Sequence, residues 1–262
     1  MMHKKKIPRT KQRIDRESSH ENGASRRTLV VDVGGSGIKG TLLNDLGKAV
    51  GERVRRDSPS SGMPGEVMDV IIAISQQFDS FDRVAVGFPG VVINGIVKQA
   101  PNLAKEWQDF NVAEMLEARL KKPVRVANDA DVQGFGAIAG SGVELVVTLG
   151  TGVGTSLFID GRLVPNLEIG RDKLRDEALQ KVGKRKWNKR LVKFIKRLDE
   201  IFHFTKLYIG GGNSRAVDVA MLPANVTIVS NLNGLAGGIA LWRDESALPA
   251  PARLEQKVLV SA

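Results

Sequence analysis

Apolar residues along this chain recur with two periods, and the switches between them mark out its elements. Thr28–Val33 and Ile38–Leu43 are β-rich runs separated by a short glycine turn, the pattern of two strands joined as a hairpin. Val67, Val70, Ile71 and Ile74 then fall at the three- and four-residue spacing of a helix face. Residues 83–86 read as another strand, running into Gly87, Phe88, Pro89 and Gly90. An amphipathic helix is predicted over 111–120 and a strand over 123–127, which delivers Asn128 and Asp129. Small residues over 130–139 predict a helix that can lie close against its neighbours.

The pattern then restarts. A strand over 144–149, a second glycine turn and a strand over 155–159 repeat the opening unit, which suggests two related lobes. Residues 184–204 form a helical stripe of Trp187, Leu191, Phe194, Ile195, Leu198, Ile201 and Phe202, with Lys189, Arg190, Lys193, Lys196 and Arg197 largely off it. A strand over 207–209 enters Gly210, Gly211, Gly212 and Asn213; 227–229 reads as the last strand and 233–242 as a closing small-residue helix.

Composition narrows the chemistry. At 262 residues the chain can bury a core without disulfides, and with no cysteine it has no thiol nucleophile and no cysteine-ligated cluster or zinc site. No signal-like apolar stretch opens the chain and no apolar run is long enough for a bilayer, so a soluble cytoplasmic protein is expected. The formal charge of +10 is uneven: residues 1–27 contribute +6 and 171–206 contribute +8, leaving −4 for the rest by subtraction. Each basic segment reads either as a solvated tail or helix face, or as an attractor of a polyanion. The first 27 residues lack apolar periodicity and are expected to be disordered; without interleaved aromatic residues they support no specific nucleic-acid contact.

Two glycine turns carry the candidate chemistry. In DVGGSGIK (32–39), the amides around Gly34, Gly35, Ser36 and Gly37 can approach phosphate oxygens, with Lys39 beyond them, and Asp32 can hold Mg²⁺ through its water shell. LGTGVG (149–154), with Gly150, Thr151, Gly152 and Gly154, repeats the arrangement. The competing reading is a pair of tight hairpins using glycine for positive φ. Asp129 lies between the turns as a carboxylate able to take a hydroxyl proton, although an Asn-Asp pair at a strand–helix junction also reads as an N-cap. Glu168 reads as a polyol acceptor or an exposed loop acid. His3, His20 and His203 have no visible partners.

These segments, with GFPG (87–90), APNL (100–103) and Trp107, VANDA (126–130), LEIG (167–170) and GGG (210–212), stand in the order found in the ROK (repressor, open reading frame, kinase) family, which the chain resembles over about residues 28–242. The first turn looks most like that of the family's polyphosphate glucokinase subgroup. The resemblance implies an α/β fold of the actin-like, ribonuclease-H-like two-lobe kind. Its divisions would be a first lobe over 28–127, a second over 128–232, a helix over 233–242 returning to the first lobe, and a loose tail over 243–262. It also implies a homodimer and phosphoryl transfer from polyphosphate or ATP, with Mg²⁺ and no zinc, to the 6-hydroxyl of glucose or a similar hexose. Asp129 would be the general base, and Asn102, Asn128, Asp129 and Glu168 would hold the sugar. Residues 32–39 and 150–154 would face the phosphates, and Gly210, Gly211, Gly212 and Asn213 would line the nucleotide or chain-entry side. The family's Glu-x-Gly is normally followed by a sugar-contacting histidine; here that position is Arg171. A sugar- or polyanion-binding relative without turnover is the alternative.

Overall fold

The computed structural model describes residues 26–169, 172–229 and 233–242. Its first sheet contains β1 (Thr28–Val33), β2 (Ile38–Leu43), β3 (Val54–Arg56), β4 (Arg83–Phe88) and β7 (Val124–Asn128), in the order β3-β2-β1-β4-β7. β1, β4 and β7 run parallel, while β2 and β3 add antiparallel at one edge. The second sheet repeats the plan with β8 (Val143–Leu149), β9 (Val153–Ile159), β10 (Arg162–Val164), β11 (Lys206–Gly210) and β12 (Val226–Ile228), ordered β10-β9-β8-β11-β12. Again the central pairs are parallel and the hairpin edge antiparallel. This duplicated layout is the two-lobe actin-like fold.

Each sheet buries its faces under helices, as parallel strands require. α1 (Pro64–Ser75) and α2 (Val112–Leu120) cover the first sheet, burying Val67, Met68, Ile71, Ile74 and Leu116 against Leu29, Val31, Val84 and Val86. α4 (Asp176–Phe202) covers the second with Trp187, Leu191, Ile195 and Leu198 on Leu145, Val147, Leu207 and Ile209. A hairpin of β5 (Val91–Ile93) and β6 (Ile96–Gln99) projects from the first lobe.

α3 (Asp129–Phe135) sits where the lobes meet, and its neighbours are small because it is pressed on several sides. A Cβ on Gly87 of β4 would touch the Asp129 Cα at 3.4 Å, one on Gly154 of β9 would meet the Ala130 Cβ at 2.7 Å, and one on Gly237 would strike the Val132 carbonyl at 1.8 Å. Gly237 belongs to α5 (Asn233–Ala240), whose Ile239 packs with Val30, Ala85 and Val132.

Several sequence expectations need correction. The helix predicted over 130–139 begins at Asp129 and ends at Phe135, since Gly134 and Gly136 weaken its continuation. A short helix over 176–182, which periodicity did not show, precedes the basic helix and is separated from it by non-helical Gly183 with φ 74°, so the basic stretch begins at 184 as its periodicity suggests. Ile201, assigned to its apolar stripe, is 52% exposed. Periodicity missed β3, β5, β6 and β10, which at three or four residues are too short to show one. Arg26 and Arg27, read as the end of the arm, donate backbone hydrogen bonds to Asp45 at 2.9 Å and Asp82 at 2.6 Å. The rest of the arm and the tail over 243–262 lie outside the described residues. Among the described residues no helix is long and apolar enough to cross a membrane.

Candidate active site

The candidate residues gather at the carboxyl ends of parallel strands, where open α/β sheets place their ligand crevices. β1 ends in the first glycine turn, β4 in Gly90, β7 in Asn128, β8 in the second glycine turn and β11 in Gly211.

At the end of β7 the two adjacent polar residues divide the work. Asn128 is the N-cap of α3: its Oδ1 accepts from the amides of Ala130 at 2.8 Å and Asp131 at 3.3 Å. Its Nδ2 donates to the Gly90 carbonyl at 3.0 Å and lies 3.4 Å from Glu168 Oε1. The capping reading therefore holds for Asn128, and it leaves Asp129 as the first helical residue with its carboxylate available. Asp129 Oδ1 accepts from Ala130 N at 2.8 Å; Oδ2 has no hydrogen-bond partner among the described residues. Although it keeps some solvent access, Asp129 lies deep between the lobes, and this burial is the main cause that pushes its carboxyl up to about 7. Asp32, facing it from β1, adds to the shift, and Glu168 and Asp131 contribute further.

Leu167 and Ile169 pack on the second-lobe core, and Glu168 between them reaches Asn128. Thr155 of β9 pins the segment, its hydroxyl donating to the Leu167 carbonyl and accepting from Ile169 N. Asn102 is exposed in the turn after β6, two residues past Ala100, which packs against Gly90. Arg171 lies outside the described residues.

The glycine turns separate the two readings of their composition. Gly34, Gly35, Gly37, Gly150 and Gly152 are absent from the positive-φ residues, so left-handed backbone does not account for them. A Cβ on Gly35, Gly150 or Gly152 would meet nothing within 4 Å. Neither left-handed backbone nor protein packing demands glycine at these three places, and the space beside each is open. Asp176 N, at 2.8 Å, and Asn213 Nδ2, at 3.3 Å, both donate to the Gly150 carbonyl and brace the second turn. Gly211, with φ 87°, packs so tightly on the Leu149 backbone that a Cβ there would come within 2.2 Å of its carbonyl. Asn213 and Gly211 thus join the third glycine loop to the second, while Gly210 ends β11 and Gly212 faces open space.

Sequence reading missed three residues at the site. Arg55 of β3 lies on the first turn, donating to the Ser36 carbonyl at 2.9 Å, and the missing side chain of Gly37 makes room for its guanidinium. Asp131 is 1% exposed and Asn166 bridges the lobes; the i+2 spacing from Asp129 was the only sequence signal for the former.

Asp32 lies 3.6 Å from Lys39 Nζ, its cross-strand neighbour. No group of three His, Cys, Asp or Glu suited to a metal occurs among the described residues. A lone carboxylate fits Mg²⁺ that retains water and takes other oxygens from donor phosphates, the usual arrangement in phosphoryl-transfer sites.

Residues 28–167 match the model of the ROK family. The chain belongs to the ROK family. A polyphosphate glucokinase of Mycobacterium tuberculosis (strain ATCC 25618 / H37Rv) is 31% identical over 223 residues, spanning 77% of this chain and 84% of that protein. The inorganic polyphosphate/ATP-glucomannokinase of Arthrobacter sp. strain KM superposes with a TM-score of 0.74 at 29% identity, covering 83% of this chain and 99% of that one. A ROK family glucokinase from Streptomyces griseus, solved with glucose and AMPPNP, shares the fold at TM-score 0.65 and 18% identity, over 82% of this chain and 98% of its own. Two pairs of the motifs quoted above occupy equivalent strand ends in the two halves, the glycine turns after β1 and β8 and the GFPG and GGG segments at the ends of β4 and β11.

Proposed function

We propose that this ROK protein is a hexose kinase transferring a phosphoryl group from inorganic polyphosphate or ATP to the 6-hydroxyl of glucose or a similar hexose. The observation that carries this reading is Asp129, a carboxylate with one oxygen unpartnered among the described residues, set between two glycine turns with open positions at Gly35, Gly150 and Gly152. Its elevated pKa near 7 matches a base that must accept a proton near neutral pH. The names of the two nearer relatives supply the donor and sugar classes.

In the reaction, the 6-hydroxyl oxygen bonds to the terminal phosphorus of the donor and its proton passes to Asp129. The bridging P–O bond breaks, and the shortened polyphosphate or ADP leaves with the bond's electrons. Glu168 and Asn102 accept and donate to the remaining sugar hydroxyls, while Asn128 keeps α3 and Glu168 in register. Amides around Gly34–Gly37 and Gly150–Gly154 face the phosphates. Magnesium, when bound, supplies charge neutralisation at the phosphate oxygens, with Asp32 holding it through water. Positioning and charge stabilisation thus carry most of the rate enhancement.

A coupled sugar-6-phosphate assay crossing glucose, mannose and other hexoses with ATP and long polyphosphate tests the proposal. Formation of the 6-phosphate, abolished in Asp129→Asn, is the expected result. Arg171 in place of the family's histidine favours a second reading, a sugar-binding relative without turnover. Glucose binding with no phosphorylation from either donor would establish that alternative.

A further inference from the structure

Asn166 occupies a position that neither the glycine turns nor the catalytic carboxylate explains. It follows Pro165 at the start of the strap 165–169, with φ 59°, a left-handed conformation that asparagine tolerates better than other residues with a side chain. Its carboxamide pairs with the backbone of a single residue of the other lobe: Val92 N donates to Asn166 Oδ1 at 3.0 Å, and Asn166 Nδ2 donates to the Val92 carbonyl at 2.9 Å. One side chain therefore acts as a strand partner for β5. On its backbone side, Asn166 N donates to Asp131 Oδ2 at 3.0 Å, which ties the same residue to α3. Asp131 is buried and its Oδ1 has no partner among the described residues, so this anchor is the one hydrogen bond they give the carboxylate.

Two residues further on stands Glu168. Thr155 holds the strap to the second lobe through Leu167 and Ile169, and Asn166 holds it to the first through Val92. Asn166 and Glu168 both reach toward the first lobe, Asn166 at Val92 and Glu168 at Asn128, while Leu167 and Ile169 pack on the second. We propose that Asn166 is a positioning residue, a latch that spans the two lobes and sets where Glu168 stands in the cleft, with Asp131 as its anchor. The role of Glu168 as a sugar acceptor rests on the kinase reading; the latch itself does not.

The experiment uses the full chain and two variants. Asn166→Gly removes the carboxamide while retaining easy access to the left-handed backbone, and Asn166→Asp retains the acceptor for Val92 N–H but removes the donor to its carbonyl. Amide hydrogen exchange at Val92 reads the latch. Exchange in Asn166→Gly should speed up by about tenfold or more, with Asn166→Asp between it and the parent, in line with the usual loss of a hydrogen bond. The KM for glucose should rise about tenfold in Asn166→Gly while kcat stays within about threefold and the donor KM is unchanged, a split that general loosening of the fold would not produce. Unchanged Val92 exchange in that variant overturns the latch. Faster exchange with a glucose KM within twofold of the parent overturns the positioning role. A parent chain that makes no sugar phosphate from either donor refutes the kinase reading on its own. Positioning is then judged on the glucose Kd, which must weaken in Asn166→Gly and refutes positioning if it does not or if the parent binds no glucose.

Discussion

Asp131→Asn separates the electrostatic cost of this site from its packing. The carboxyl of Asp131 is pushed up from 3.8 to about 7, first by burial and then by the nearby charge of Glu168, against the favourable hydrogen bond from Asn166 N. A raised acid pKa means that the folded protein retains a proton the unfolded chain has already released. The resulting penalty is absent below 3.8, grows as pH rises from there, and is complete above about 7. A shift of about three units at 1.36 kcal/mol each sets its full size at roughly 4 kcal/mol, of which about 2–3 kcal/mol develops between pH 5 and pH 8. Asparagine keeps the shape and the acceptor for Asn166 N but does not titrate. Any constant cost of its amide, about 1–3 kcal/mol if the new N–H is left unpaired, is the same at both pH values and cancels from the comparison. Urea denaturation of parent and variant at pH 5 and pH 8 should therefore show the variant gaining about 2–3 kcal/mol relative to the parent at the higher pH. Asp129 continues to titrate in the variant, so its own stability curve still slopes downward. Parallel curves for the two proteins, separated by the same amount at both pH values, would refute the account.

Asp129→Ala should lower kcat by about 10²-fold or more with the fold intact, checked by steady-state kinetics alongside circular dichroism; near-parental turnover removes the base assignment. Because the base works deprotonated and its carboxyl stands at about 7, kcat/KM for the sugar should fall tenfold per pH unit below that value and level off above it, and a profile flat to pH 5 contradicts the assignment. Gly152→Ala should leave stability within about 0.5 kcal/mol, since its Cβ meets nothing in the protein, while raising the donor KM several-fold; an unchanged donor KM means that no phosphate passes there. Lys189, Lys193 and Lys196 are exposed on α4, so replacing all three by Gln should raise KM for long polyphosphate more than for ATP, with the gap narrowing as salt rises. Equal effects on both donors return that face to ordinary solvation.

The sequence alone determined the elements long enough to show a period, together with the order of the motifs. Thr28–Val33, the α1 stripe, the strand before Asn128 and the stripe from Trp187 to Leu198 all stand where apolar spacing placed them, because burial on one face imposes that spacing locally. The glycine turns and Asp129 were legible as candidates for a related reason: chemistry at a strand end needs particular residue types within a few positions. Short edge strands carry no period, and β5 could not be read from its three residues. Contacts made across the lobes were likewise hidden. Nothing near Asn166 in the chain announces that its carboxamide meets Val92, 74 positions away, or that its amide meets Asp131. The split between Asn128 as cap and Asp129 as candidate base also had to await the structure, since either residue can cap a helix and only the placement of the backbone decides which one does. Folding two repeats against one short helix decided these matters, because the pKa of a carboxyl depends on which charges and how much protein surround it in space, and chain order does not specify either.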